Sequence, residues 1–333
     1  MGGFGLILVL AVIAAVLLAG ALYQLVGAAR DARNLPPPGQ LIDGLHANVQ
    51  GEGAPPVIFE AGIAATSLSW ALVQPEAAKI AKTVSYDRAG LGWSGSHRSR
   101  RMVWTVVGEL RAMLLSAHVG SPRVLVAHSY GGLIALGYAA RYPAEVAALI
   151  LLDPVGVGEW SVPTESNLRM LHRGIFLSRC GEILAWLGVV RFALALVAIG
   201  SRRIPKLIAH ATSGRGGAAF TERMAGEISK LPRELWPAIQ SHWCNPKSFR
   251  AMRDYLKALP ESARAVYNEV THLDIPLVVL SAGNSSPAQR ADHERVARLS
   301  SRGRLEIVAG SGHWILLDRP DLVIREIEQA VRV

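Results

Sequence analysis

Residues 123–140 read RVLVAHSYGGLIALGYAA, and the two halves of this stretch obey different periodicities. Residues 123–129 form a short, apolar run rich in valine, the pattern of a buried strand, whereas residues 132–142 space their apolar side chains as a helix does. Ser129 stands at the junction, with the small residues Ala127 and Gly131 two positions to either side. A strand that runs straight into a helix forces its junction residue into a strained turn, and only small neighbours leave room for it. Such a turn lifts the serine hydroxyl above the strand end and aims the first amides of the helix at negative charge forming there. A small-Ser-small string also arises by chance; its place between a strand pattern and a helix pattern sets this one apart.

The same alternation extends in both directions. PVIFEAG (56–62), TVSYDRAG (83–90), AALILLD (147–153), PLVVLSAG (276–283) and LEIVAGSGH (305–313) read as further buried strands ending in turn residues, and residues 103–119, 292–299 and 320–333 carry helical spacing. Apolar strands separated by helices predict an α/β fold, a mostly parallel sheet flanked by helices with its reactive residues at the carboxyl ends of the strands. The alternation stops between about residues 155 and 270, a stretch of helix formers that contains Pro205, Pro232, Pro237 and Pro246 and no strand pattern. It reads as a helical cap inserted over the sheet. The expected organisation is a transmembrane anchor (1–28), a juxtamembrane linker (29–50), the first part of the core (51–154), the cap (155–270) and the second part of the core (271–333).

A serine hydroxyl is a poor nucleophile at neutral pH and needs a general base that is itself oriented by a third group. Of the ten histidines, His313 is best placed, because it follows the last strand in Ala309-Gly310-Ser311-Gly312-His313, a turn flexible enough to present the ring at the sheet edge. His128 adjoins Ser129, but neighbours on so sharp a turn point apart, which assigns it to packing. His46, His97, His118, His172, His210, His242, His272 and His293 lack a comparable strand-end context.

Four motifs in this order resemble the α/β-hydrolase superfamily over roughly residues 50–155 and 270–333. Ala127-His128-Ser129-Tyr130-Gly131-Gly132 resembles its nucleophile elbow, with Ala127 in place of the commoner glycine. Phe59-Glu60-Ala61-Gly62-Ile63, followed by Trp70, is similar to its oxyanion strand, with Ala61 where histidine is usual. Tyr86-Asp87-Arg88-Ala89-Gly90-Leu91-Gly92-Trp93-Ser94 resembles its loop-bracing turn, and Gly312-His313 with Asp318-Arg319-Pro320 its C-terminal histidine segment. The resemblance implies Ser129 as nucleophile, His313 as base, and an oxyanion hole built from the amides of Ile63 and Tyr130. The acid departs from the commonest pattern, since Ser281-Ala282-Gly283-Asn284-Ser285-Ser286 after the strand at 276–280 holds no carboxylate. A second location known in the superfamily, the end of the preceding strand, holds Asp153; Asp292 is the alternative, and an aspartate at 153 can equally cap a turn.

The implied activity is that of a serine hydrolase cleaving a carboxylic ester, thioester or lipid through an acyl-enzyme, with no metal or organic cofactor. A serine argues against the dehalogenase and epoxide-hydrolase branches, which place an aspartate there. Small-peptide hydrolysis and acyl transfer would use the same triad, and an inactive hydrolase-fold binding protein would share every motif.

Of the 333 residues 50% are apolar and only 18% charged, and the mean hydropathy is +0.27, values that exclude disorder and call for a membrane-seeking segment. FGLILVLAVIAAVLLAGAL (4–22) supplies it, with no charge before Arg30. At about 1.5 Å per residue it spans a hydrocarbon layer of roughly 30 Å. A signal peptide is the rival reading, since Ala19-Gly20-Ala21 resembles a cleavage site, but Met1-Gly2-Gly3 supplies no basic n-region. Leu6 stands where a myristoylation signal wants Ser or Thr. Arg30 and Arg33 on the C-terminal flank predict a single-pass protein with its catalytic part in the cytoplasm, and Pro36-Pro37-Pro38 a stiff spacer. The run at 183–199, ILAWLGVVRFALALVAI, is nearly apolar enough for a second span, but Arg191 near its middle costs about 2.5–3.5 kcal/mol at a bilayer centre. A buried or lipid-touching lid helix is expected instead.

The net charge of +9 sits wholly in residues 161–264, which hold 16 Lys and Arg against 7 Asp and Glu. On a tethered protein this basic cap would rest on anionic headgroups, although a solvated basic surface explains it equally well. No nucleic-acid motif accompanies the charge, which excludes nucleic acid as a partner. The expected partners are a small-molecule or lipid acyl substrate and the membrane. Cys180 and Cys244 build neither a disulfide scaffold nor a zinc site, and two free thiols are expected.

Overall fold

The buried runs anticipated in the sequence lie side by side in a computed structural model that describes residues 3–198 and 229–332. Its strands are β1 (Gln40–Ile42), β2 (Leu45–Gln50), β3 (Val57–Glu60), β4 (Thr83–Tyr86), β5 (Arg123–His128), β6 (Val146–Leu152), β7 (Leu277–Ala282) and β8 (Gly303–Val308). They form one eight-stranded sheet in the order β1-β2-β4-β3-β5-β6-β7-β8, antiparallel where β2 meets β1 and β4 and parallel elsewhere. Every residue of β3, β4 and β5 is buried, because helices cover both faces of a parallel sheet. That is why these strands read as continuous apolar runs instead of alternating ones.

The described helices are α1 (Gly3–Asn34), α2 (Gln74–Ala77), α3 (Val103–Ser116), α4 (Tyr130–Arg141), α5 (Val157–Ser161), α6 (Glu165–Trp186), α7 (Val189–Ala198), α8 (Trp236–Cys244), α9 (Pro246–Glu269), α10 (Pro287–Ala297), α11 (Ile315–Asp318) and α12 (Pro320–Val331). Helix α10 starts five residues before its apolar spacing does, because Ser286 and Gln289 form a reciprocal capping box ahead of Pro287.

The juxtamembrane linker expected over residues 29–50 needs correction. Helix α1 continues to Asn34, and β1 and β2 form a hairpin on the antiparallel side of the sheet. Ile42 pairs with Leu45 across Asp43-Gly44, both at positive φ (51° and 80°), the geometry of a two-residue turn whose twist matches the strands. Polar residues hide this hairpin in the sequence, and His46 is the chief of them. Its Nδ1 bonds Asp87 Oδ2 (2.9 Å) and its Nε2 bonds the Pro38 carbonyl (2.6 Å) inside the protein. Burial works to lower the pKa of this imidazole, but Asp87 and the Pro38 carbonyl outweigh it and raise the value.

The chain divides into two compact units. Pro37–Ile175 with Asp254–Val333 carries the sheet, and Met1–Pro36 with Phe176–Arg253 forms the second. The segment expected as a cap, 155–270, is therefore split between them; among its described residues it is helical and holds no strand. Pro237 lies at the start of α8 and Pro246 opens α9, whereas Pro205, His210 and the last residue of the apolar run, Ile199, lie outside the described residues. That run is no straight span: α6 and α7 meet at 88°, across Gly188 at φ 72°. Helix α1 is long and apolar enough to cross a membrane, a description a signal sequence also meets. Cys180 and Cys244 are both free thiols. Part of the basic excess is held in ion pairs, with Arg250 and Arg253 both on Glu182.

Asp87 joins the hairpin to the rest of the sheet unit, since it also accepts the amides of Ser67 (2.7 Å) and Trp93 (2.9 Å). Asp87→Ala strands these buried donors. It should lower stability by about 3 kcal/mol or more, read as a fall in thermal midpoint in detergent.

Candidate active site

The strand β5 ends at His128 and α4 begins at Tyr130, so Ser129 alone makes the turn, at φ 53° and ψ −118°. Its amide donates to the Leu152 carbonyl (3.0 Å), while its own carbonyl accepts from Gly132 and Val155 (both 3.0 Å). Gly131 allows α4 to start this close to β3, since a Cβ there would lie 2.8 Å from the Ala61 carbonyl oxygen. The Ser129 side chain is half-buried, and its hydroxyl has no hydrogen-bond partner among the described residues.

Asp153 follows β6 directly, at φ 41°. Its Oδ2 accepts from His313 Nδ1 at 2.6 Å, and its Oδ1 accepts from the Ala282 amide and the Ser285 hydroxyl, both at 2.9 Å. Burial works to raise this carboxyl, but the bonds from His313, Ala282 and Ser285 outweigh it and hold the group below the ordinary carboxylate range. With Nδ1–H fixed on an ionised aspartate, the free lone pair of His313 is on Nε2, and the ring remains partly open to solvent. His313 reaches this edge on the loop after β8, where its neighbour Gly312 donates its amide to Asp318 Oδ2 (2.7 Å).

His128 links the two sides of the site. Its Nε2–H donates to the His313 carbonyl (2.9 Å), and its ring lies 4.7 Å from the His313 ring and 4.9 Å from that of Trp314. Burial, reinforced by the neighbouring His313, pushes its pKa down to about 3, so it stays neutral. The residue was expected only to pack; it also binds the His313 backbone.

The amides of Ile63 and Tyr130 flank the turn. Tyr130 N–H is the first amide of α4 and has no intrahelical acceptor, and Ile63 N–H donates to no carbonyl among the described residues. The segment carrying Ile63 is clamped by Arg88, whose guanidinium donates to Glu60 Oε1 and the Ala61 carbonyl (both 2.7 Å) and to the Gly62 carbonyl. The Tyr86 hydroxyl donates to the other Glu60 oxygen. Burial pushes the Glu60 carboxyl up against the pull of Arg88 and Tyr86. The rings of Tyr130 and Tyr255 pack 5.2 and 5.0 Å from the Arg88 guanidinium carbon. Asp87 and Arg88 thus act on loops and strand ends.

A family model described as the alpha/beta hydrolase family matches residues 57–326, most of the chain. The chain belongs to the alpha/beta hydrolase family. Among relatives of the chain, YqjL of Bacillus subtilis is 34% identical over 116 residues, a match covering 34% of the chain and 46% of YqjL, less than half its length. A haloalkane dehalogenase of Sphingobium indicum is 25% identical over 287 residues, 83% of the chain and 88% of that protein. The structure of a thermophilic esterase from Thermogutta terrifontis superposes with a TM-score of 0.61 over 86% of the chain and 93% of the esterase. At 18% identity that likeness is one of fold.

Asp292, the alternative acid, is occupied elsewhere in the sheet unit, accepting from the Gly158 amide at the start of α5 (3.0 Å) and from Arg295 (3.1 Å). His293 beside it is a supporting residue that sequence reasoning missed. Buried beneath Asp153, it bonds the Ser281 hydroxyl and the Pro154 carbonyl, both at 2.9 Å. Ser285 was legible only as part of a stretch without a carboxylate; its hydroxyl serves the carboxylate of another strand. A groove of about 670 Å³, lined by Pro56, Lys82, Pro122, Pro276 and Arg302, lies at the opposite, amino-terminal ends of the strands and shares no residue with this constellation.

Because the folded Asp153 carboxyl lies below its unfolded value of about 3.9, its ionisation stabilises the fold above that pH, and this contribution is lost as the pH falls through the depressed folded value. Asp153→Asn should flatten the acid limb of the curve of thermal midpoint against pH below about 4, relative to the parent.

Proposed function

We propose that this hydrolase is a serine esterase acting on a hydrophobic acyl substrate, a carboxylic ester, thioester or lipid. The observation that carries the reading is the 2.6 Å bond between His313 Nδ1 and Asp153 at the sheet edge where Ser129 sits at positive φ. Asp153 fixes the tautomer, His313 Nε2 takes the proton as Ser129 Oγ attacks the acyl carbon, and the Ile63 and Tyr130 amides receive the oxyanion. Collapse expels the alcohol or thiol with the proton from His313. Water, deprotonated by the same nitrogen, then releases the acid and restores Ser129.

A serine in this place supports an acyl substrate over the alkyl halide named for the Sphingobium relative. Displacing halide with a serine oxygen would leave an alkyl ether, which offers no carbonyl for water to attack. The apolar helix α1 favours a hydrophobic acyl substrate. Helix α1 is assigned as a single-pass anchor with the catalytic part in the cytoplasm, the side that Arg30 and Arg33 favour.

Ser129→Ala should lower kcat on p-nitrophenyl esters by about 10⁴-fold or more and abolish labelling by a fluorophosphonate; full activity in that variant ends the proposal. Asp153→Asn should cost about 10³–10⁴-fold in kcat, while Asp292→Asn keeps turnover within about twofold of the parent.

A further inference from the structure

The two halves of α1 have different surroundings. From Phe4 to Ala19 nearly every side chain is exposed, whereas from Gly20 onward the helix is docked within its own unit. A side chain at Gly20 would collide with the Leu187 carbonyl, and one at Gly188 would lie 3.1 Å from the Tyr23 ring. Gln24 is only 2% exposed, donating to the Cys244 carbonyl (3.0 Å) and accepting from Arg191 Nε (3.0 Å). Arg191 also pairs with Asp31 at 2.7 Å, over Gly27, where a Cβ would come within 2.7 Å of the guanidinium carbon. Two glycines admitting backbone and guanidinium, and a satisfied buried amide, make this a built contact.

The contact fixes a level. The corner between α6 and α7 meets α1 at Gly20 and Tyr23, where the apolar run of α1 nears its end before Arg30. That corner exposes Ile183, Trp186 and Phe192, large apolar side chains unusual on a water-facing surface. Tyr23, itself exposed on α1, and Trp186 are the aromatic types that settle at a membrane interface, and Arg30 and Arg33 follow on the headgroup side.

We infer that the α6–α7 corner is immersed in the bilayer interface, so that the second unit docks on lipid and does not hang from a free tether. The inference rests on the proposed anchoring by α1. From the sequence alone this run was expected to be a buried or lipid-touching lid helix instead of a second span. Its contact with the end of the α1 apolar run makes it an interfacial element, with Arg191 kept out of lipid by Asp31 and Gln24.

The test uses the full chain with Cys180→Ser and Cys244→Ala, reconstituted in phosphatidylcholine vesicles and labelled with an environment-sensitive fluorophore at Trp186→Cys or, separately, Leu10→Cys. Cooperative thermal unfolding checks each variant, and Ile183→Cys replaces Trp186→Cys if the latter fails to fold. The Trp186→Cys label should be quenched at least about twofold by lipids carrying a nitroxide near the headgroup, the depth at which interfacial helices settle. The Leu10→Cys label should be quenched best by a nitroxide deeper in the acyl chain. Quenching at Leu10→Cys with a bright, water-exposed label at Trp186→Cys overturns the inference and leaves the anchor standing. Quenching at neither overturns both.

Discussion

The constellation depends on a hydrogen-bond ladder that continues past the ends of the strands. The Ser129 amide donates to the Leu152 carbonyl, and the next residue, Asp153, donates its amide to Leu280 at 2.7 Å. One peptide step thus separates the nucleophile turn from the carboxylate, and the carboxylate rests on the next strand through the Ala282 amide. Ser129 and Asp153 both take positive φ, a cost of order 1–3 kcal/mol each that persists only where the surroundings over-determine the backbone. Here the sheet does so, with β5, β6 and β7 in register beneath the turn.

Buried charge is used in the same way elsewhere in the sheet unit. Glu60 and Arg88 pair within the core, yet the guanidinium also reaches three positions of one short segment, Glu60, Ala61 and Gly62. Asp87 gathers a hairpin, a 3-10 turn and a loop through His46, Ser67 and Trp93. A buried ion pair is weak support for stability when compared with well-packed apolar residues. Its value in this fold is directional, because it sets where the Ile63 amide points.

Much of the fold was legible because the central strands are apolar on both faces and their ends carry small or turn-forming residues. Ser129 and His313 stood out through local context alone. The hairpin of β1 and β2 did not, because His46, Asn48 and Gln50 break the apolar run, although Asp43-Gly44 is a two-residue turn signal that was there to be read. The partners of Asp153 were illegible for a different reason. Ser285 and His293 are 132 and 140 positions away, and only the parallel order of β6 and β7 brings them alongside. The supporting role of His128 was hidden too, since its bond runs to a backbone carbonyl 185 residues on.

The network of Gln24, Asp31 and Arg191 imposes an order on the making of the protein. Helix α1 leaves the ribosome before its partners, since Arg191 follows Asp31 by 160 residues and Cys244 follows Gln24 by 220. At about 5–20 residues per second, the docking face of α1 waits on the order of 10 to 40 s for its partners. During that interval a carboxylate and an amide stand beside an apolar helix with nothing yet to bind them. Biogenesis of this chain therefore includes a stage in which the amino-terminal helix is already committed while its seat has not been synthesised.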